Sequence, residues 1–78
     1  MKVIIAQVNE TLFAGEAYSL TAPGAAGELT VLARHEPLIT TLNKGELRVR
    51  LAPHGEPKRF PITGGILEVG PAGATVLL

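Results

Sequence analysis

The chain alternates. In Glu46-Leu47-Arg48-Val49-Arg50-Leu51 the odd positions are apolar and the even ones charged. That is the period of a strand with one wet face. Arg59-Phe60-Pro61-Ile62-Thr63 repeats the pattern, with Pro61 marking an edge or a bulge because proline cannot donate to a ladder. Leu67-Glu68-Val69 and Thr75-Val76-Leu77-Leu78 continue it, and Lys2 to Val8, Phe13 to Thr21 and Glu28 to Leu32 read as further strands. Turn chemistry separates the runs. Ala14-Gly15 reads as a bulge, Pro23-Gly24 and Gly27 bracket a loop, and Asn43-Lys44-Gly45 leads into the Leu47 strand. Pro53 to Pro57 is a polar hairpin tip, and Gly70-Pro71-Ala72-Gly73 is another turn. Gly64-Gly65, without a polar spacer, predicts a sharp corner or a close backbone approach. No window carries a helical stripe free of glycine and proline. The spacing predicts one all-β domain over residues 1–78, a small antiparallel β-sandwich or flattened barrel of about 8–10 short strands.

Composition narrows the function more than the fold. Seven basic and seven acidic side chains cancel, which argues against a nucleic-acid surface or a polybasic membrane anchor. Cysteine is absent, so thiolate metal sites and disulfides are excluded. The aromatics are Phe13, Tyr18 and Phe60 alone, so the core must be mostly aliphatic. No stretch approaches the roughly 18 uncharged apolar residues of a spanning helix, so no direct membrane insertion is expected.

Catalytic equipment is sparse. Aspartate is absent, Ser19 is the only serine, and no phosphate loop, serine elbow or HExxH motif occurs. His35 and His54 are two histidines without a third ligand, so no metal or other cofactor is expected. His54 lies in the Gly/Pro-rich tip. His35 follows a core strand and precedes Pro37, Leu38 and Ile39. Either it bonds its own loop backbone, half-buried, or it is a contact residue on a rigid loop. Leu38-Ile39-Thr40-Thr41-Leu42 has the same two readings: core packing under a loop, or an apolar patch that a partner covers. The residues themselves thus indicate a binding or structural module and no enzyme. One form of it is a free-standing small-ligand or peptide-binding β-module, which needs a pocket of about 300 Å³ or more.

Four segments in order carry a resemblance: Phe13-Ala14-Gly15-Glu16, Gly27-Glu28-Leu29, His35-Glu36-Pro37-Leu38-Ile39-Thr40 and Gly64-Gly65-Ile66-Leu67-Glu68-Val69, before a strand holding Thr75-Val76-Leu77. In order and spacing the chain resembles the N-terminal β-domain of the epsilon subunit of F-type rotary ATP synthases. Two departures stand out. Ala33-Arg34 precedes the histidine where the family commonly has Pro-Gly, and Lys44-Gly45 follows the apolar segment where it commonly has another Pro-Gly. The family's helical hairpin would follow Leu78. A chain without it is expected neither to inhibit ATP hydrolysis nor to bind ATP.

The resemblance implies a non-catalytic central-stalk component of a proton- or sodium-translocating ATP synthase. It would be peripheral to the cytoplasmic face of a bacterial inner membrane and would link the gamma subunit to the c-subunit ring. It puts a loop carrying Glu28, Arg34 and His35 near the ring. It makes Gln7, on the wet face of the first strand, and Pro37, Leu38, Ile39, Thr40 and Thr41 the candidates for gamma contact.

Overall fold

A computed structural model describes residues 1–78, and nine strands account for its regular structure. They are β1 (Lys2–Gln7), β2 (Glu10–Glu16), β3 (Ser19–Gly24), β4 (Gly27–Leu32), β5 (Leu38–Leu42), β6 (Gly45–Arg50), β7 (Lys58–Ile62), β8 (Gly65–Gly70) and β9 (Gly73–Leu77). Hydrogen bonding orders β2-β1-β9-β8-β5 side by side, and β4-β3-β6-β7 likewise. The two runs join only where Gly24 of β3 meets Leu42 of β5. The molecule is therefore a β-sandwich, one layer of five strands on one of four. All pairs are antiparallel except β1 with β9, which run parallel from Lys2↔Gly73 to Ala6↔Leu77.

Alternation sends one side of every strand inward. Val3 and Ile5 of β1, Leu20 of β3, Val31 of β4, Leu47 and Val49 of β6, Leu67 of β8 and Val76 of β9 are all fully buried. The core is aliphatic, as the composition requires. The two rings that do pack, Phe13 on β2 and Phe60 on β7, meet edge to face with centroids 6.2 Å apart. They close the side where the outer strands of the two layers face each other, in a favoured aromatic geometry.

Several turns fall where the pattern puts them. Pro71-Ala72 joins β8 to β9, residues 51–57 join β6 to β7, and β7, which holds Pro61, is an edge strand. Gly64-Gly65 is a close approach: at Gly65 (φ 149°) a Cβ would stand 2.7 Å from the Leu77 carbonyl oxygen. Gly73 (φ 145°) is tighter still, because a Cβ there would overlap the Lys2 carbonyl.

Four local expectations change. Phe13 to Thr21 is not one strand: the Ala17 N–H donates to the Met1 carbonyl, while the next N–H, of Tyr18, donates to Arg50. The extended chain thus crosses from one layer to the other without losing its alternation, which is why it reads as continuous. The bulge lies at Leu12 and not at Ala14-Gly15, since Ile5 pairs Phe13 while Ala6 pairs Thr11. Pro23-Gly24 belongs to β3, and the loop shrinks to Ala25-Ala26. Leu38 to Leu42 is a full strand paired along β8.

Candidate functional site

The strand directions define two ends and two outer faces. At one end, called upper here, stand Met1, Ala17-Tyr18, residues 33–37, residues 51–57 and Pro71-Ala72. At the lower end stand Val8-Asn9, Ala25-Ala26, Asn43-Lys44, Thr63-Gly64 and Leu78.

This arrangement separates the expected ring-contact residues. Glu28 starts β4 at the lower end, opposite Pro23, and Leu32 ends it at the upper end, opposite Ser19. Arg34 and His35 lie beyond Leu32. At about 3.3 Å per residue, the four steps of β4 from Glu28 to Leu32 put roughly 13 Å between Glu28 and the turn that holds Arg34 and His35. The loop expected to carry all three does not exist, because the residues after Gly27 form a strand. Glu28 instead pairs across the face of its own sheet with Arg48, at 2.8 Å.

His35 is half-buried, and its Nδ1 lies 2.8 Å from the Glu36 carbonyl oxygen. It bonds its own loop backbone, the first of the two readings above. Its N–H donates to the Leu32 carbonyl, closing a turn whose inner residue, Arg34, has φ +68°. Only a few per cent of non-glycine residues adopt that left-handed conformation. The glycine commonly found there in the resembling family would adopt it freely. No cluster of metal-ligating side chains forms anywhere in the molecule.

The gamma-contact candidates divide as well. Leu38 and Thr40 turn toward the interior, where Leu38 packs against the core, whereas Ile39 and Thr41 point outward. Pro37 borders the same outer surface at its upper rim. Gln7 closes the β1–β2 tip, donating from Nε2 to Glu10 Oε1 at 2.7 Å, and it lines a depression with Pro61 to Gly64 at the lower end. It therefore stands off the outer face of β1, which is formed by Lys2, Ile4 and Ala6.

The ladder places Ile39, Glu68, Thr75, Ile4 and Ala14 in one lateral row across the five-stranded layer. Thr41, Ile66, Leu77, Ala6 and Thr11 form the next. Ile39, Ile66 and Leu77 are 73%, 45% and 56% exposed. Contiguous apolar exposure of this kind marks an interaction surface more often than isolated exposed residues do.

Ile4, Ile66, Leu77 and Glu68 were not singled out from the sequence. The signal was present as broken alternation: Val3-Ile4-Ile5-Ala6, Ile66-Leu67 and Val76-Leu77 put apolar side chains on both sides of their strands. Strands covered on both faces carry such runs.

The outer face of the four-stranded layer is different. Thr21 and Thr30 share a hydrogen bond of 3.0 Å, Arg48 meets Glu28, Arg59 meets Glu46, and Arg50 donates to the Gly55 carbonyl at 2.6 Å. Arg48 and Arg59 face each other directly across β6–β7, and each is compensated by a carboxylate one row away.

Cavities are shallow. The largest, about 320 Å³, is an open depression where Pro37 to Ile39 meet Glu68 to Gly70, with Glu68 its one charged group. Fourteen buried apolar residues fill the interior. A ligand-binding module would need several polar groups converging in a closed pocket.

Comparison with known proteins agrees with this architecture. The model of the family described as "ATP synthase, Delta/Epsilon chain, beta-sandwich domain" matches residues 1–78. An ATP synthase epsilon chain of Herminiimonas arsenicoxydans is 43% identical over 77 residues, covering 99% of this chain and 55% of that protein. One of Bordetella petrii is 44% identical over 77 residues, covering 99% and 54%. The chain thus spans about half the length of the curated relatives it matches. Among solved structures, a chain of the Euglena gracilis mitochondrial ATP synthase, seen in an OSCP/F1/c-ring assembly, superposes with a TM-score of 0.85 at 26% identity, over 96% of this chain and 48% of that one. A chain of the Tetrahymena thermophila mitochondrial ATP synthase central stalk and c-ring shares the fold, with a TM-score of 0.81 at 17% identity, over 99% and 61%.

Proposed function

The chain belongs to the ATP synthase Delta/Epsilon chain β-sandwich family, and from that premise we propose that it is a non-catalytic part of the central stalk of an F-type ATP synthase. It joins the gamma subunit to the c-subunit ring, so that rotation driven by ion flow reaches the catalytic head. The complex holds it at the membrane, without insertion of its own strands.

The observation that carries this reading is the apolar outer face of the five-stranded layer, around Ile39, Ile66 and Leu77, set against a charged face on the opposite side. Gamma covers the apolar face. The ring meets the lower end, where Glu28 stands beside the Ala25-Ala26 tip. Arg34 and His35, at the upper end, fall outside that contact. A face and an adjoining end lie roughly at right angles, which suits a body wedged between a vertical shaft and a horizontal ring. Torque transfer favours stiffness, and paired ladders around a filled core supply it.

Two experiments test the reading. The chain should co-purify with gamma and show no ATPase activity alone; a folded chain that fails to bind gamma refutes the proposal. Glu28→Lys should lower proton pumping in vesicles reconstituted with the complex while leaving gamma binding intact. Unchanged pumping removes the ring contact from Glu28.

A further inference from the structure

Five glutamates lie in strands: Glu10, Glu16, Glu28, Glu46 and Glu68. Four have a partner: Gln7 for Glu10, the amino terminus for Glu16, Arg48 for Glu28 and Arg59 for Glu46. Glu68 has none, and it is the one placed among apolar residues. It stands between Ile39 and Thr75 in its row, with Ile66 beside it along the same face of β8. It also forms the ridge between two depressions. One, of about 180 Å³, is floored by Gly70 and Gly73 and flanked by Lys2 and Ile4. The other, of about 320 Å³, lies against Pro37 and Ile39.

Any partner that seals this face takes Glu68 out of water. A carboxylate covered without a counter-charge is costly, whereas one covered with a hydrogen-bonded cation becomes a contact that wrong partners cannot reproduce. The charges nearest to it on this face are Lys2 and Glu16. Lys2 faces Glu16 directly across β1–β2, two strands away from Glu68, so it is already opposite a carboxylate of its own.

We infer that Glu68 is the specificity-determining contact of the apolar face, and that its carboxylate receives a basic side chain from the gamma surface while apolar gamma side chains fill the depressions on either side. The inference rests on the proposal that gamma covers this face.

The test measures gamma affinity for the wild-type chain and for Glu68→Gln, Glu68→Leu and Lys2→Gln. Glu68→Leu is the deciding variant, because it extends the apolar patch. If gamma supplies a cation, both Glu68 variants weaken binding by about 10-fold or more, through faster dissociation, and Lys2→Gln changes it little. If Glu68→Leu binds as tightly as wild type or tighter, the carboxylate has no partner and the inference is overturned. A loss with Lys2→Gln equal to that with Glu68→Gln puts the counter-charge on this chain and overturns it too. Failure of the wild-type chain to bind gamma strikes instead at the reading beneath.

Discussion

The two layers of the sandwich share one interior and turn opposite faces outward. On the four-stranded layer, β6 alternates strictly, so Glu46, Arg48 and Arg50 lie in water and find partners in Arg59, Glu28 and Gly55. On the five-stranded layer the outward positions of β1, β5, β8 and β9 hold Ile4, Ile39, Ile66 and Leu77, with Glu68 alone in their midst. Both layers are paired strand to strand through their backbones, so the ladders do not account for the difference. A sheet face solvated by cross-strand ion pairs needs nothing further, while one lined with isoleucine and leucine is finished only by something that covers it.

The most damaging change to that comparison strikes the structure beneath the apolar face. Gly73→Ala drives a Cβ into the Lys2 carbonyl at the parallel β1–β9 junction, where the backbone also holds φ 145°. It should lower unfolding stability by about 2–3 kcal/mol, read as a drop in denaturant midpoint. Gly27→Ala also meets a positive φ, but in open space, and should cost less.

Next in size is the face itself. Ile39→Asp with Leu77→Asp leaves every core residue in place and should weaken gamma binding by about 100-fold or more, with the melting temperature little changed. Unaltered affinity would erase the functional distinction between the faces.

The third effect is smaller and of opposite sign. Arg34→Gly relieves a left-handed residue in an exposed turn and should stabilise the fold by about 0.5–1 kcal/mol. Gamma affinity should stay as it was, because Arg34 lies at the upper end, beyond the apolar rows.

The least effect belongs to the charged face. Arg59→Gln breaks a solvent-exposed pair with Glu46 and should shift stability by no more than about 0.5 kcal/mol, with gamma binding unchanged.

Much of this fold is legible in the chain. The Glu46–Leu51 alternation, the Pro71-Ala72 turn, the edge role of Pro61 and the close approach at Gly65 all follow from local rules, because each depends on residues near in sequence. What escapes reading is long-range. The parallel pairing of β1 with β9 joins the two ends of the chain, and no local pattern announces it. The crossing between layers at Ala17-Tyr18 leaves the alternation intact, so one strand is read where two exist. Glu28 to Leu32 does read as a strand, but the resemblance groups Glu28 with Arg34 and His35 on one loop, and only the ladder shows that the strand holds them at opposite ends.

The apolar outer face was legible in part. Ile39 and Thr41 lie within the segment marked from resemblance, but Leu38 and Thr40 share that segment and point inward. Ile4, Ile66 and Leu77 join them only once the ladder aligns four strands. Two apolar neighbours in one strand say that both faces are apolar, without saying which other strands contribute.

The absence of cysteine gives a clean way to compare the two faces. Thr41→Cys puts a thiol on the apolar face, and Thr30→Cys puts one on the charged face, in otherwise identical chains. The measurement is the maleimide labelling rate of each thiol, free and in complex with gamma. Gamma should protect the thiol at position 41 and leave the one at position 30 as reactive as in the free chain. Protection at position 30, with position 41 still open, would contradict the account.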